Sequence, residues 1–233
     1  LGAGVDHILS QPNLPDVPLV RVVDDSLTVR MTEWVVLQVL LHHRGTLEYM
    51  RQQRAHLWRD HPHPMAPQVK VGLLGLGVLG AHAAGALRRF GYDVAGDAGL
   101  ALFLARTDIL VSLLPLTPET EGLIDFELLS GLRRDNAVGG AYLINAGRGR
   151  LQVEDDILRA LKEGILAGCS LDVFETEPLP ADSPLWDEGR VLITPHVAAE
   201  SDPADIAAYV VAQIARHERG EKLQNLVDTS RGY

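Results

Sequence analysis

The sequence is poor in cysteine and aromatic residues and has no long apolar run. Its one cysteine, Cys169, excludes an internal disulfide framework and a cysteine-based zinc site, and its apolar neighbours predict a place in the core. No apolar run is long enough to span a bilayer and no secretory signal pattern is present. We therefore expect a cytoplasmic protein with no membrane partner.

Positive charge is also scarce. The 21 Lys and Arg residues face 31 Asp and Glu residues, which gives a net charge of −10 and disfavours a nucleic-acid partner. His61 and His63 alternate with prolines and have no carboxylate cluster beside them, so they indicate a connector and no metal site.

Strands and helices alternate after this connector. The pattern predicts strands over 69–74, 92–95, 109–114, 141–145, 166–173 and 191–194, with helices over 79–90, 126–132 and 154–163. Such alternation is typical of an α/β fold with a doubly wound parallel sheet. Before the connector we predict a strand over 17–23, a helix over 29–43 capped by Thr28, and a helix over 47–58. A last helix is predicted over 202–219.

A glycine-rich loop joins the first strand of this alternation to its helix. Gly75-Leu-Gly-Val-Leu-Gly80 fits G-x-G-x-x-G in the strand-to-helix context that dinucleotide binding requires. Gly75 permits the tight turn, Gly77 lets the backbone approach the pyrophosphate, and Gly80 lets the helix pack on the strand. Free N–H groups at the start of the helix, at Val78 and Leu79, would then face the pyrophosphate.

The segment that should follow the second strand is short. Asp97 lies at about the spacing of the acidic residue that holds the ribose, but only 13 residues separate Ala95 from Ile109. That length allows one crossover and no extra strand and helix. Either the sheet is short, or residues that select NAD or NADP are absent between Gly96 and Asp97, which is the favoured interpretation.

Three later segments each place residues of catalytic type after a strand, where open α/β sheets bind ligands. They supply Arg148, then Asp172 and Glu177, then His196. Arginine suits a carboxylate, and histidine suits proton transfer near neutral pH. A carboxylate beside the imidazole favours its charged, proton-donating form. These residue types fit the reduction of a 2-keto acid, although each could instead be a surface or capping residue.

The motifs together resemble the D-isomer-specific 2-hydroxyacid dehydrogenases over essentially the whole chain. They are the glycine loop, Leu114-Pro-Leu-Thr-Pro-Glu-Thr120, Asn145-Ala-Gly-Arg-Gly149, Leu171-Asp-Val-Phe-Glu-Thr-Glu-Pro178 and Thr194-Pro-His196. Val153-Glu-Asp-Asp156, Ser183-Pro-Leu-Trp186 and the closing Arg231-Gly-Tyr233 resemble the glyoxylate/hydroxypyruvate reductase A branch.

The resemblance implies a Rossmann cofactor domain over 67–196, flanked by an incomplete flavodoxin-like substrate domain over 1–66 and by 197–233, which returns to that domain. Leu1-Gly-Ala-Gly-Val-Asp6 resembles a turn after a strand, so we expect N-terminal sequence before Leu1. The implied catalytic residues are Arg148, Glu177 and His196, and Ala3, Gly4 and Val5 join Arg148 and His196 around the substrate. The implied cofactor residues are Gly75, Gly77, Val78, Leu79, Gly80, Leu114, Pro115, Thr117, Ala146, Gly147, Arg148, Asp172, His196 and Ala198.

The implied activity is NAD(P)H-dependent reduction of glyoxylate or hydroxypyruvate by a homodimer. The resemblance to the branch is the sole ground for preferring NADP over NAD. The basic residue that the branch usually carries after the second strand, for the 2′-phosphate of NADP, is missing from this sequence. Two alternatives remain open. One is another enzyme of the family, of the phosphoglycerate or D-lactate dehydrogenase type, and the other is a non-catalytic dinucleotide-sensing corepressor.

Overall fold

Six parallel strands form one sheet at the centre of the chain. The computed structural model describes residues 4–9, 11–15, 17–23, 25–96 and 99–228. The sheet has the order β2-β1-β3-β4-β5-β6. Its strands are β1 (Lys70–Leu74), β2 (Asp93–Gly96), β3 (Ile109–Ser112), β4 (Ala141–Asn145), β5 (Leu166–Leu171) and β6 (Val191–Ile193). The predicted strands after the connector are all present, with ends shifted by up to two residues.

The strands are almost wholly apolar because helices cover both faces of the sheet. One face carries a core built around Leu110, Leu143 and Leu166, and the other a core built around Leu73 and Val111. The covering helices are α2 (Asp25–His43), α4 (Val78–Arg89), α5 (Leu100–Leu104), α6 (Phe126–Ser130) and α7 (Glu154–Lys162). Parallel strands buried on two faces are the arrangement expected of a doubly wound fold, so the predicted fold class is confirmed.

Three further helices lie outside the sheet layers. They are α1 (Asp6–Leu9), α3 (Thr46–Arg54) and α8 (Pro203–Glu218). Helix α8 begins at an Asp202 cap, whose carboxylate accepts a hydrogen bond from the Ala204 N–H at 2.8 Å. Short 3₁₀ turns occur at Ala66–Gln68, Gly149–Leu151 and Pro184–Trp186.

Two predictions before the connector are wrong. The segment 17–23 is not a strand, and Val20 forms only an isolated antiparallel bridge with Leu226. Pro18 in this segment has no N–H to donate to a ladder. Thr28 is not a helix cap, since α2 begins at Asp25 and Thr28 is buried within it.

The direction in which successive strands are added to the sheet reverses at β1. Strand β2 pairs on one side of β1 and strand β3 on the other, so the loops that follow β1 and β3 diverge from the carboxyl edge of the sheet. Open α/β sheets bind ligands at such a switch point. In the described part of the chain, no helix has the length and apolar character needed to cross a membrane.

Candidate active site

The glycine loop at the end of β1 leaves the start of helix α4 open for a ligand. Gly77 is the N-cap of α4 and supplies no side-chain cap, and a Cβ at Gly77 would meet no atom within 4 Å. At Gly80, by contrast, a Cβ would lie 1.9 Å from the Gly75 carbonyl oxygen, so only glycine fits. The helix therefore presents N–H groups without a side-chain cap next to open space, which fits a pyrophosphate.

Glycines also bring the loops after neighbouring strands into backbone contact. A Cβ at Gly147 would lie 2.7 Å from the Leu114 carbonyl oxygen, and one at Gly149 would lie 1.8 Å from the Phe174 carbonyl oxygen. The loop after β4 is thus packed between the loops after β3 and β5. This contact carries Arg148, which lies between the two glycines, to the segment that leads to Glu177.

His196 and Glu177 form the central pair of the site. The imidazole Nδ1 lies 2.7 Å from Glu177 Oε2, and Glu177 Oε1 accepts a hydrogen bond from the Phe174 N–H at 3.0 Å. The side chains remain 50% and 35% exposed, so a small molecule can reach the imidazole. Sequence reasoning predicted this pairing, although 18 residues separate the two in the chain, and the geometry is that of an acid oriented by a carboxylate.

Asp172 is buried at the end of β5 and holds the loop that carries His196. Its carboxylate accepts hydrogen bonds from the Thr194 hydroxyl at 2.5 Å, the Val197 N–H at 3.0 Å and the Ala198 N–H at 2.9 Å. Its backbone oxygen accepts from the His196 N–H at 2.8 Å. The residue was expected beside the nicotinamide carboxamide. That contact stays a prediction, while the structure shows a clamp on both sides of His196.

Arg148 lies on a loop whose shape is fixed by Asn145. The Asn145 side chain is buried, accepts from the Gly147 N–H at 3.0 Å, and donates to the Arg148 carbonyl at 3.2 Å and to Gln152 Oε1 at 2.8 Å. The guanidinium donates to the Gly147 carbonyl at 2.7 Å. Sequence reasoning named the arginine and missed the role of Asn145, although an asparagine two residues before a glycine is a turn signal.

The structure describes some, but not all, of the other residues that were expected to contact the cofactor or the substrate. Thr117 is buried and its N–H donates to Thr120 Oγ1 at 2.8 Å, so the loop after Pro115 is held by its own threonines. Gly4 and Val5 are described, whereas Ala3 lies outside the described residues. The use of their N–H groups for a substrate carboxylate stays a prediction. Within the described ranges, no three His, Cys, Asp or Glu side chains are grouped to hold a metal ion.

A match to a protein-family model shows which family this chain belongs to. Residues 36–198 match the model for the D-isomer specific 2-hydroxyacid dehydrogenase NAD binding domain. The chain belongs to the D-isomer-specific 2-hydroxyacid dehydrogenase family. The prediction of this family from the glycine loop and the later motifs is therefore confirmed.

Several relatives share both sequence and fold with this dehydrogenase chain. Glyoxylate/hydroxypyruvate reductase A of Escherichia fergusonii is 42% identical over 255 aligned residues, covering 100% of this chain and 80% of that protein. The NADPH-dependent glyoxylate/hydroxypyruvate reductase of Sinorhizobium meliloti, solved with NADP and sulfate, is 50% identical with a TM-score of 0.97. A probable 2-hydroxyacid dehydrogenase of Rhizobium etli, solved with NADP, HEPES and L(+)-tartaric acid, is 52% identical with a TM-score of 0.95. Both structures cover 100% of this chain, which covers 78% of each.

Proposed function

We propose that this chain reduces a small 2-keto acid, glyoxylate or hydroxypyruvate, to the D-2-hydroxy acid with NADPH or NADH. The single observation that carries the proposal is the hydrogen bond of 2.7 Å between His196 Nδ1 and Glu177 Oε2 at the carboxyl edge of the sheet. The names of the relatives from E. fergusonii and S. meliloti support the choice of substrate, and NADP in two of the solved relatives supports the choice of cofactor.

The imidazole of His196 supplies the proton in this proposal. With Nδ1–H donating to Glu177, the charged ring carries its second proton on Nε2, directed away from the carboxylate. Transfer of that proton to the carbonyl oxygen neutralises the alkoxide as it forms. Glu177 stabilises the charged ring and fixes its orientation, because its other oxygen is held by the Phe174 N–H.

Arg148 holds the substrate carboxylate and polarises the carbonyl. A guanidinium offers parallel N–H donors that match a carboxylate, and the N–H groups of Gly4 and Val5 would complete its binding. The nicotinamide ring, when bound, supplies the hydride. The glycine loop would hold the pyrophosphate of the cofactor at the start of α4.

The proposal also includes a homodimer, the division into domains at 66/67 and 196/197, and a cytoplasmic location, where reduced nicotinamide cofactors are available. The bridge between Val20 and Leu226 supports a return of the C-terminal segment to the N-terminal segment.

An arm after α3 carries exposed apolar residues, with Leu57 47%, Trp58 101% and Met65 70% exposed. Such exposed apolar surface fits burial against a second copy of the chain.

The test is a steady-state assay of the purified protein that follows oxidation of NADPH and of NADH at 340 nm. The substrates are glyoxylate, hydroxypyruvate, phosphohydroxypyruvate and pyruvate. His196→Ala is expected to lower kcat by about 10²–10⁴-fold, the usual contribution of a general acid. The matched control is His217→Ala, at the end of α8, for which we expect unchanged kcat.

Each alternative function corresponds to a distinct result. A kcat/KM for phosphohydroxypyruvate more than about tenfold above that for hydroxypyruvate would identify the phosphoglycerate type of dehydrogenase. Cofactor binding without turnover, or a His196→Ala variant within about threefold of the parent, would favour the corepressor.

A further inference from the structure

The pairing of β4 with β5 ends just before the two loops that carry the candidate active site. Its last paired residues are Asn145 and Leu171, and the Asp172 N–H donates the last backbone hydrogen bond, to the Asn145 carbonyl at 3.0 Å. Arg148 follows on one loop and Glu177 on the other. The spacing of these two side chains therefore depends on contacts that lie beyond the sheet.

Gln152 connects the two loops through its side-chain amide. It follows the 3₁₀ turn Gly149–Leu151 and is 2% exposed. Its Oε1 accepts a hydrogen bond from Asn145 Nδ2 at 2.8 Å, and its Nε2 donates to the Val173 carbonyl at 3.0 Å. One neutral amide thus bonds to the end of β4 on one side and to the segment after β5 on the other.

We propose that Gln152 is a positioning residue for the reduction of the keto acid, an inference that rests on the proposed function. Its amide sets the spacing between Arg148, which holds the substrate carboxylate, and the Glu177–His196 pair, which supplies the proton. Both groups must reach one small substrate at the same time, so their relative position determines how well the reaction is catalysed.

The Asn145 end of this connection determines the shape of the arginine loop. Asn145 Oδ1 accepts from the Gly147 N–H at 3.0 Å, while Nδ2 donates to the Arg148 carbonyl at 3.2 Å and to Gln152. An N–H group only donates and a carbonyl only accepts, so these backbone groups allow one orientation of the Asn145 amide. Gln152 Oε1 is the acceptor that this orientation requires.

The Val173 end of the connection determines the position of the carboxylate. Val173 is buried and is followed by Phe174, whose N–H donates to Glu177 Oε1 at 3.0 Å. Glu177 Oε2 in turn lies 2.7 Å from His196 Nδ1. A displacement of the Val173 carbonyl would therefore reach the carboxylate, and with it the imidazole, through the adjacent Phe174.

A second contact between the same loops is less able to hold them. The N–H groups of Glu154 and Glu175 each donate to the carboxylate of the other, at 2.7 and 2.8 Å. Glu175 is exposed, so water can replace these partners at little cost. Gln152 is buried, and a side chain without an amide would leave the Val173 carbonyl and one N–H of Asn145 without a partner.

Steady-state kinetics of Gln152→Met tests the inference. Methionine is unbranched and of similar length, so it fills the same space and makes neither hydrogen bond. We expect kcat/KM for the keto acid to fall about tenfold to a hundredfold, since a displacement of about 1 Å in an active site can cost that much. The loss should include a higher KM, through Arg148, and a lower kcat, through Glu177 and His196.

Gln213→Met is the matched control. Gln213, on α8, is also buried, and its amide accepts from the Gln224 N–H at 2.9 Å and donates to Gln224 Oε1 at 3.2 Å. Its replacement removes the same two kinds of hydrogen bond away from the candidate active site. Urea unfolding should therefore show a comparable loss of stability in the two variants, while the control keeps the kcat and KM of the parent.

A double-mutant cycle separates positioning from a general loss of structure. If Gln152 acts on kcat through Glu177, Gln152→Met should lower kcat by less than about threefold in a Glu177→Gln background, against about tenfold in the parent. Equal factors in the two backgrounds would overturn the inference. Should Gln152→Met fail to fold, Gln152→Asn, whose shorter side chain cannot span both partners, is measured in the same cycle.

The outcomes distinguish this inference from the function on which it rests. A parent protein that reduces glyoxylate or hydroxypyruvate, with Gln152→Met within about threefold of it in kcat/KM, would overturn the inference and leave the proposed function intact. A parent protein that turns over no keto acid would refute the proposed function and the inference with it.

Discussion

Acid should destabilise this fold through one buried histidine. His42, in the last turn of α2, is 3% exposed. Its Nε2 lies 2.9 Å from Ser170 Oγ, and its ring packs on Tyr142 with centroids 4.8 Å apart. The Ser170 hydroxyl donates to Gln38 Oε1 at 2.9 Å. The oxygen of the same hydroxyl therefore accepts a hydrogen bond from Nε2–H of the neutral imidazole. Burial lowers the pKa of His42 from 6.5 to about 4.

The magnitude follows from this difference in pKa. Between pH 6.5 and about 4 the unfolded chain binds a proton at His42 that the folded protein does not, so stability falls as the pH falls through this window. Linkage gives a loss of about 1 kcal/mol at pH 5.5, which grows to about 3 kcal/mol at pH 4 and below. Above about pH 7.5 the group has almost no effect on the pH dependence of stability.

Urea unfolding of the parent and of His42→Gln, at several pH values from 7.5 to 4.5, measures this effect. The variant loses some packing at every pH, but its free energy of unfolding should fall less steeply, by about 2–3 kcal/mol over the interval. His217→Gln, at the exposed end of α8, is the matched control and should keep the slope of the parent. Parallel slopes for the parent and His42→Gln would refute the reasoning, since His43 and all carboxylates are common to both proteins.

Two further predictions concern the active site and the arm. Asp172→Asn should lower the free energy of unfolding by about 2–4 kcal/mol and also lower kcat, because an amide NH₂ must then face one of the three buried donors. Urea titration measures the loss of stability, and steady-state kinetics measures the loss of kcat. Asp187→Asn, on the surface, is its control, and an unchanged kcat would contradict the clamp. Trp58→Ser should weaken a dimer at least tenfold in light scattering at decreasing concentration, whereas Val211→Ser should not. A monomeric parent protein would contradict the proposed dimer.

The part of the fold that was predicted best from the sequence is the one in which apolar strands alternate with helices. The inner strands β1, β3, β4 and β5 are short and mainly apolar, because both of their faces are buried. The segment 17–23 has similar composition but lacks a continuous partner in the described chain, and its single bridge is to Leu226. Whether an apolar run becomes a strand depends on a partner that the local sequence does not contain.

The pairing of Glu177 and His196 was predicted from the sequence, whereas the contacts that hold these residues in place were not. Glu177 and His196 each follow a strand of a parallel sheet, and the shared edge of these strands made their meeting predictable. The function of Asp172 as a clamp was not predictable in the same way. Its three donors are a hydroxyl and two N–H groups on another loop, and only the folded backbone brings them to one carboxylate.

This clamp explains how His196 can hold an unusual backbone conformation. His196 has a φ of 55°, in the left-handed region that costs a residue with a side chain on the order of 1–3 kcal/mol. Asp172 holds Thr194 before it and Val197 and Ala198 after it, and accepts from the His196 N–H, so the chain is fixed on both sides of the strained residue. The imidazole is thereby aimed at Glu177 by the backbone as well as by the carboxylate. Loss of the clamp should therefore misplace the imidazole of His196 even where Glu177 is intact.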